Sequence, residues 1–210
     1  MIRILIADDH AIVRKGLKQI VGEHPDMIVA GEAASGQEAL ELARAQEFDV
    51  AIVDIAMPGR GGLEILKDLK AERPSLKIIM LSMYSEEQYA IRSLRDGASA
   101  YLTKANATDE LIKAIEAVAS GKRFITPSVA DRLAIYIEED GRRLPHESLS
   151  DREFQVLGMI GSGKLVSEIA EELSLSIKTV STYRARILEK MGMSSSAQLI
   201  RYAVQHLLEQ

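Results

Sequence analysis

The feature that most narrows the fold is an alternation of short apolar runs with amphipathic segments along residues 1–121. The runs Arg3–Ala7, Ile28–Ala33, Val50–Val53, Lys77–Leu81 and Ala100–Leu102 are rich in Ile, Val and Leu and show little polar alternation. Strands of that kind are covered on both faces, as in parallel sheets. Between and after them come Ile12–Val21, Gly36–Glu47, Gly61–Arg73, Glu86–Gly97 and Thr108–Ser120, which have helix-like patterning. Repeated βα units with right-handed crossovers predict an α/β domain built on a doubly wound, five-stranded parallel sheet.

From Thr126 the strand pattern stops. Pro127 can open a helix that Ser128–Glu139 continues. The stretch "EEDGRRLPHES", Glu138–Ser148, is charged and broken by Gly141 and Pro145, which predicts a linker. Only helical patterns follow: Asp151–Ile160, Val166–Leu173, Ile177–Met191 and Ser196–Leu208. The expected organisation is an α/β domain over 1–121, a connecting helix and linker over 122–147, and a small all-α four-helix domain over 148–210.

Composition excludes several classes. With 47% hydrophobic and 27% charged residues, the chain reads as a soluble globular protein. No apolar run approaches the roughly 20 residues that span a bilayer, so no membrane partner is expected. Met1 to Ala7 enters a strand directly, without the basic region and cleavage site of a leader. The absence of cysteine leaves no disulfide framework and no thiolate zinc site, which fits a cytoplasmic location. His10, His24, His146 and His206 are scattered, which argues against a histidine metal cluster. The net charge of −5 conceals a basic segment, 177–191, where Lys178, Arg184, Arg186 and Lys190 face Glu189 alone.

The first domain places its chemistry at the strand ends. In "LIADDH" an apolar run meets two adjacent carboxylates, Asp8 and Asp9, and in "AIVDIAMPG" Asp54 ends another. Ligands of doubly wound sheets bind outside the carboxyl ends of the strands. Three carboxylates on one rim repel one another unless a cation joins them, and oxygen donors select a hard ion such as Mg²⁺. Ser82 and Lys104 end the fourth and fifth runs and add a hydroxyl and an ammonium. This set suits phosphoryl transfer onto a carboxylate, with Asp54 as nucleophile. His10 reads as a surface or capping neighbour.

The stretches "ADDH", "VDIAMPG", "LSMYS" and "GASAYLTK", in this order and spacing, resemble a response-regulator receiver domain, a flavodoxin-like fold, over roughly residues 1–121. The resemblance makes Asp54 the phospho-acceptor for a sensor histidine kinase. It assigns Mg²⁺ to Asp8, Asp9 and Asp54, with the backbone carbonyl of Ala56 as a further ligand. It makes Ser82 the switch hydroxyl that turns toward the phosphoryl group, Lys104 the partner of a phosphoryl oxygen, and Tyr101 the aromatic whose rotamer follows. Ala105 stands where many receivers carry proline.

Val166–Tyr183 resembles a helix-turn-helix, with small Ala170 allowing close approach, "LSLS" as the turn and Val180 packing the second helix back. Ser174 occupies a turn position where many such motifs use glycine. At about 100° per residue, Ile177, Val180, Ile187, Leu188 and Met191 share one face. Lys178, Thr179, Thr182, Ala185, Arg186 and Glu189 lie opposite. Lys178, Thr182 and Arg186 are expected to read the major groove of double-stranded DNA, with Thr179 and Ser181 as further contacts. Lys190, at the edge, is expected on a phosphate, and Arg184 is expected to pack its stem while its head reaches a phosphate at most. The segment from "LSDREF" to "QHLL" resembles the DNA-binding domain of LuxR-type regulators. With the receiver, the whole chain resembles the NarL/FixJ class of response regulators. This implies a homodimer when phosphorylated or DNA-bound, to which Ser196–Leu208 contributes.

Two other activities fit the same sheet. An aspartate-nucleophile phosphatase usually has a second acidic residue two positions after the nucleophile, where Ala56 stands, and needs a cap for which there is no insertion. A flavin-binding module needs a neutral, hydroxyl-rich loop after the first strand, where Asp8 and Asp9 would repel phosphate. The leading expectation is a transcription regulator rather than an enzyme.

Overall fold

Apolar runs without alternation require a sheet covered on both faces, and the computed structural model contains one. It describes residues 1–83, 86–138 and 144–208. Tyr84 and Ser85 of the "LSMYS" stretch and residues 139–143 of the expected linker lie outside the described residues. Strands β1 (Ile2–Ala7), β2 (Met27–Ala33), β3 (Val50–Asp54), β4 (Lys77–Ser82) and β5 (Ala100–Thr103) form one parallel sheet in the order β2-β1-β3-β4-β5. The chain reverses direction across the sheet between β1 and β3, which opens a crevice at their carboxyl ends.

Helices α1 (Ala11–Gly22) and α5 (Ala107–Ala119) cover one face, where Ile4, Ile6, Ile52 and Leu102 pack with Leu17, Leu111 and Ile115. The intervening residues Leu5, Ala51, Val53, Met80 and Tyr101 are buried too. They take the opposite face by the two-residue strand period, under α2 (Gly36–Ala45), α3 (Gly62–Glu72) and α4 (Glu86–Arg95). Asp54 and Ser82 lie buried inside the strand ladder, where Asp54 aligns with Leu81 and Ser82 with Thr103. A Cβ on Gly62 would fall 2.1 Å from the Asp54 carbonyl oxygen, so glycine alone lets α3 begin this close behind β3.

The chain divides into two compact units, Met1–Val129 and Ala130–Gln210, and the division falls within α6 (Pro127–Glu138). In the second unit a short 3₁₀ turn, Pro145–Ser148, precedes α7 (Asp151–Gly161), α8 (Val166–Glu172), α9 (Ile177–Lys190) and α10 (Ser196–Ala203). A π-turn over Val204–Leu208 extends α10. Serine side chains start three of these helices: Ser150, Ser176 and Ser195 accept the amides of Glu153, Thr179 and Gln198. Glu153 returns the bond to the Ser150 amide at 2.8 Å, completing a capping box. Between α8 and α9 the chain turns through Ser174, which adopts the left-handed conformation at φ 53. The Leu175 amide then closes back on the Ala170 carbonyl at 2.7 Å. A non-glycine residue therefore makes the tight turn.

Candidate functional site

Three strand ends build the first site. Asp8 follows β1, Asp54 is the last residue of β3, and Lys104 follows β5, its amide donating to the Ser82 carbonyl at 2.7 Å. That bond carries the β4–β5 ladder one residue onward and aims Lys104 back across the rim. Its ammonium lies 2.7 Å from Asp8 Oδ2 and 2.9 Å from Asp54 Oδ2. Asp8 and Asp54 are each only 1% exposed. The remaining oxygens take backbone donors: Asp8 Oδ1 accepts the His10 amide at 2.8 Å, and Asp54 Oδ1 the Ala56 amide at 3.3 Å. The Arg14 guanidinium donates to the Asp8 carbonyl at 2.6 Å and fixes the turn into α1.

One ammonium does not balance these carboxylates. Burial pushes the Asp54 carboxyl up from 3.8 to about 6; the Lys104 charge opposes the rise and Asp8 adds to it. For Lys104 burial works against the charge, yet Asp54 and Asp8 together hold its ammonium above the ordinary range. Carboxylate oxygens of Asp8, Asp9 and Asp54 and a ring nitrogen of His10 lie within 4.8 Å of one another. An oxygen-rich, net-negative cluster of this size could hold a divalent cation. His10, expected as a surface or capping neighbour, is exposed at the N-cap of α1, and its Nδ1 lies 2.9 Å from Asp9 Oδ1 and 3.3 Å from Asp8 Oδ1. Its position directly after the acidic pair was the available signal.

Ser82 is buried at the end of the strand beside Asp54, and Tyr101 is buried one strand further on. The rim therefore carries a buried carboxylate that can act as a nucleophile, a cation already against it, and a hydroxyl on the adjacent strand.

The second candidate surface lies on α9. Lys178, Thr182 and Arg186 are exposed along it, and Ser181 is partly exposed. Thr182 returns its hydroxyl to the Lys178 carbonyl at 2.9 Å. Thr179 belongs to the helix cap, with its hydroxyl 2.7 Å from that of Ser176. Arg184 is exposed and reaches Ser196 Oγ at 3.4 Å, linking α9 to the start of α10. Lys190 is exposed at the edge of this face and also has a partner within the fold. Its ammonium donates to Glu153 Oε2 at 2.6 Å, so it closes the α7 capping box from α9. Ile177 departs from expectation. Val180 and Ile187 are buried as the apolar stripe requires, but Ile177 is 59% exposed. It is the first residue of α9 and precedes the first buried position of the helix.

No helix among the described residues is long and apolar enough to cross a membrane. Residues 4–116 match the response regulator receiver domain, and residues 147–203 match the luxR family of bacterial regulatory proteins. The response regulator UvrY of Escherichia coli K12 is 38% identical over 207 residues, covering 98% of this chain and 95% of that protein. The response regulator GacA of Pseudomonas aeruginosa is 37% identical over 207 residues, covering 98% and 97%. Among solved structures, RcsB of Salmonella enterica serovar Typhimurium bound to promoter P1flhDC with the phosphomimetic BeF3⁻ superposes with a TM-score of 0.66. It is 30% identical, over 97% of this chain and 98% of that one.

Proposed function

The chain belongs to the NarL/FixJ response regulators, a receiver domain followed by a LuxR-type DNA-binding domain, and from that premise we propose that Asp54 is its phospho-acceptor. The family regulates transcription, which sets aside the phosphatase and flavin-binding activities. The observation that carries the assignment is a carboxylate 1% exposed at the switch point of the sheet, with the Lys104 ammonium 2.9 Å away.

An Asp54 oxygen forms the new O–P bond as the P–N bond to a kinase phosphohistidine breaks and that nitrogen takes a proton. Lys104, already against the carboxylate, pairs with a phosphoryl oxygen. Ser82 offers its hydroxyl to another. Asp8, Asp9 and Asp54, with the Ala56 carbonyl, would hold Mg²⁺, which when bound supplies positive charge against the phosphoryl oxygens. Tyr101 follows Ser82, and the surface of α4 and β5 changes with them.

The receiver extends over 1–121, the connector over 122–147 and the effector over 148–210. The effector binds double-stranded DNA through α9, with Lys178, Thr182 and Arg186 in the major groove and Thr179, Ser181 and Arg184 flanking them. Lys190 is left to Glu153. A monomer carries few cationic contacts, so two phosphorylated copies occupy paired half-sites. The protein works in the cytoplasm, where a sensor histidine kinase supplies the phosphoryl group.

Acetyl phosphate with Mg²⁺ tests the acceptor by intact mass. The chain gains one phosphoryl group, and Asp54→Asn, folded by circular dichroism, gains none. Labelling of the Asn variant at the wild-type level overturns the assignment.

A further inference from the structure

At the first turn of α9 an isoleucine stands exposed, apart from the apolar positions that hold the helix to its neighbours. Ile177 is 59% exposed at the first turn of α9, while Val180 and Ile187 fill the stripe that holds the helix to its neighbours. Nothing in helix initiation calls for it, because Ser176 already caps the start through the Thr179 amide. Its surroundings on the helix are polar: Lys178 is exposed at the next position, and partly exposed Ser181 lies one turn on along the same face.

We propose that Ile177 is a specificity-determining residue that packs on the 5-methyl group of a thymine in each DNA half-site. This rests on α9 being the recognition helix. In that geometry the N-terminal residues of the helix meet base edges. Among the base edges of the major groove, the thymine 5-methyl is the apolar group a side chain can cover. A β-branched side chain is stiff at χ1 and loses little freedom on docking. Lys178, one position on, supplies the positive charge that a helix face needs to approach phosphates. The apolar and cationic groups thus lie where a methyl group and a phosphate or base acceptor can be met together.

The probe is a duplex recovered from a randomised pool by the full, acetyl-phosphate-treated chain, then resynthesised with single thymines replaced by uracil. Uracil removes the methyl group and leaves the Watson–Crick edge unchanged. One such replacement in a single half-site weakens wild-type binding by about fourfold, the value of one buried methyl, and one in each half-site by about fifteenfold. Ile177→Ala weakens binding to the thymine duplex by at least as much and no longer distinguishes thymine from uracil at that position. Ile177→Val keeps most of the discrimination. The inference is overturned if Ile177→Ala loses the same affinity on both duplexes at unchanged melting temperature, because Ile177 then serves another contact, such as one to a second protein copy. It is overturned equally if every uracil duplex binds wild type as the thymine duplex does. If the wild-type chain recovers no duplex at all, the DNA-binding assignment of α9 falls, and this inference with it.

Discussion

Asp54→Asn is expected to stabilise the metal-free protein, and the size of the effect follows from the buried site. The carboxyl ionises near 3.8 in an unfolded chain and at about 6 in the fold, chiefly because burial removes its hydration. Each pH unit of that difference is worth about 1.4 kcal/mol, so the ionised group costs folding about 3 kcal/mol at neutral pH. The folded pKa is the higher one, so the cost is complete above it. It shrinks as pH falls through 6 and disappears below the unfolded value. Asparagine keeps the shape and carries no charge at any pH. In chelator, urea unfolding followed by circular dichroism should show the Asn variant ahead by about 3 kcal/mol near pH 7.5 and level with wild type near pH 3. Excess Mg²⁺ should narrow the gap at neutral pH, because it binds the folded wild-type cluster better than the variant's. An Asn variant less stable than wild type at neutral pH would refute the reasoning. A gain that stays constant with pH would refute it too, since the origin would then not be the buried charge.

Lys104→Met removes the ammonium that shares Asp8 and Asp54, so Mg²⁺ affinity measured by calorimetry should rise several-fold; a fall would mean that the lysine helps to build the metal site. Lys190→Ala leaves Glu153, 3% exposed, without its cation and should cost on the order of 1 kcal/mol in thermal melts. Lys190 and the Ser150 groups hold the Glu153 carboxyl below its usual range despite burial, so that cost is present at neutral pH and fades as pH falls through it. The same variant should keep the wild-type salt slope of DNA binding, whereas a slope smaller by about 1 would return Lys190 to a phosphate.

The sheet was legible because burial on both faces removes polar alternation from a strand, and that absence can be read directly from "ILIA" and "AIV". Once strand order follows from right-handed crossovers, Asp8, Asp54, Ser82 and Lys104 must gather at one rim, and their residue types are visible in the sequence. Distance and exposure were not legible. Nothing local indicates that Lys104 would bridge Asp8 and Asp54 rather than extend into water. Lys190 shows the same limit: helical periodicity places it at the edge of the polar face, where it is exposed, but nothing local reveals its ion pair with Glu153, far away in sequence. The Ser150–Glu153 capping box starts α7, and nothing local to it indicates that α9 adds a cation there. Ile177 fails for a different reason. A period assigns a face along the whole helix, whereas burial stops where the neighbouring elements end, and the first turn of α9 lies beyond that point.

Charge placed on Asp54 is expected to change how tightly α9 holds DNA. The most direct test is the affinity of the full chain for a pool-selected duplex, at one fixed salt concentration, before and after acetyl phosphate, in wild type and Asp54→Asn. Coupling of about 1–3 kcal/mol predicts that phosphorylation tightens wild-type binding by roughly 5- to 150-fold and leaves the Asn variant where it began. Equal affinity in phosphorylated and unphosphorylated wild type, or the same tightening in the Asn variant, would contradict it.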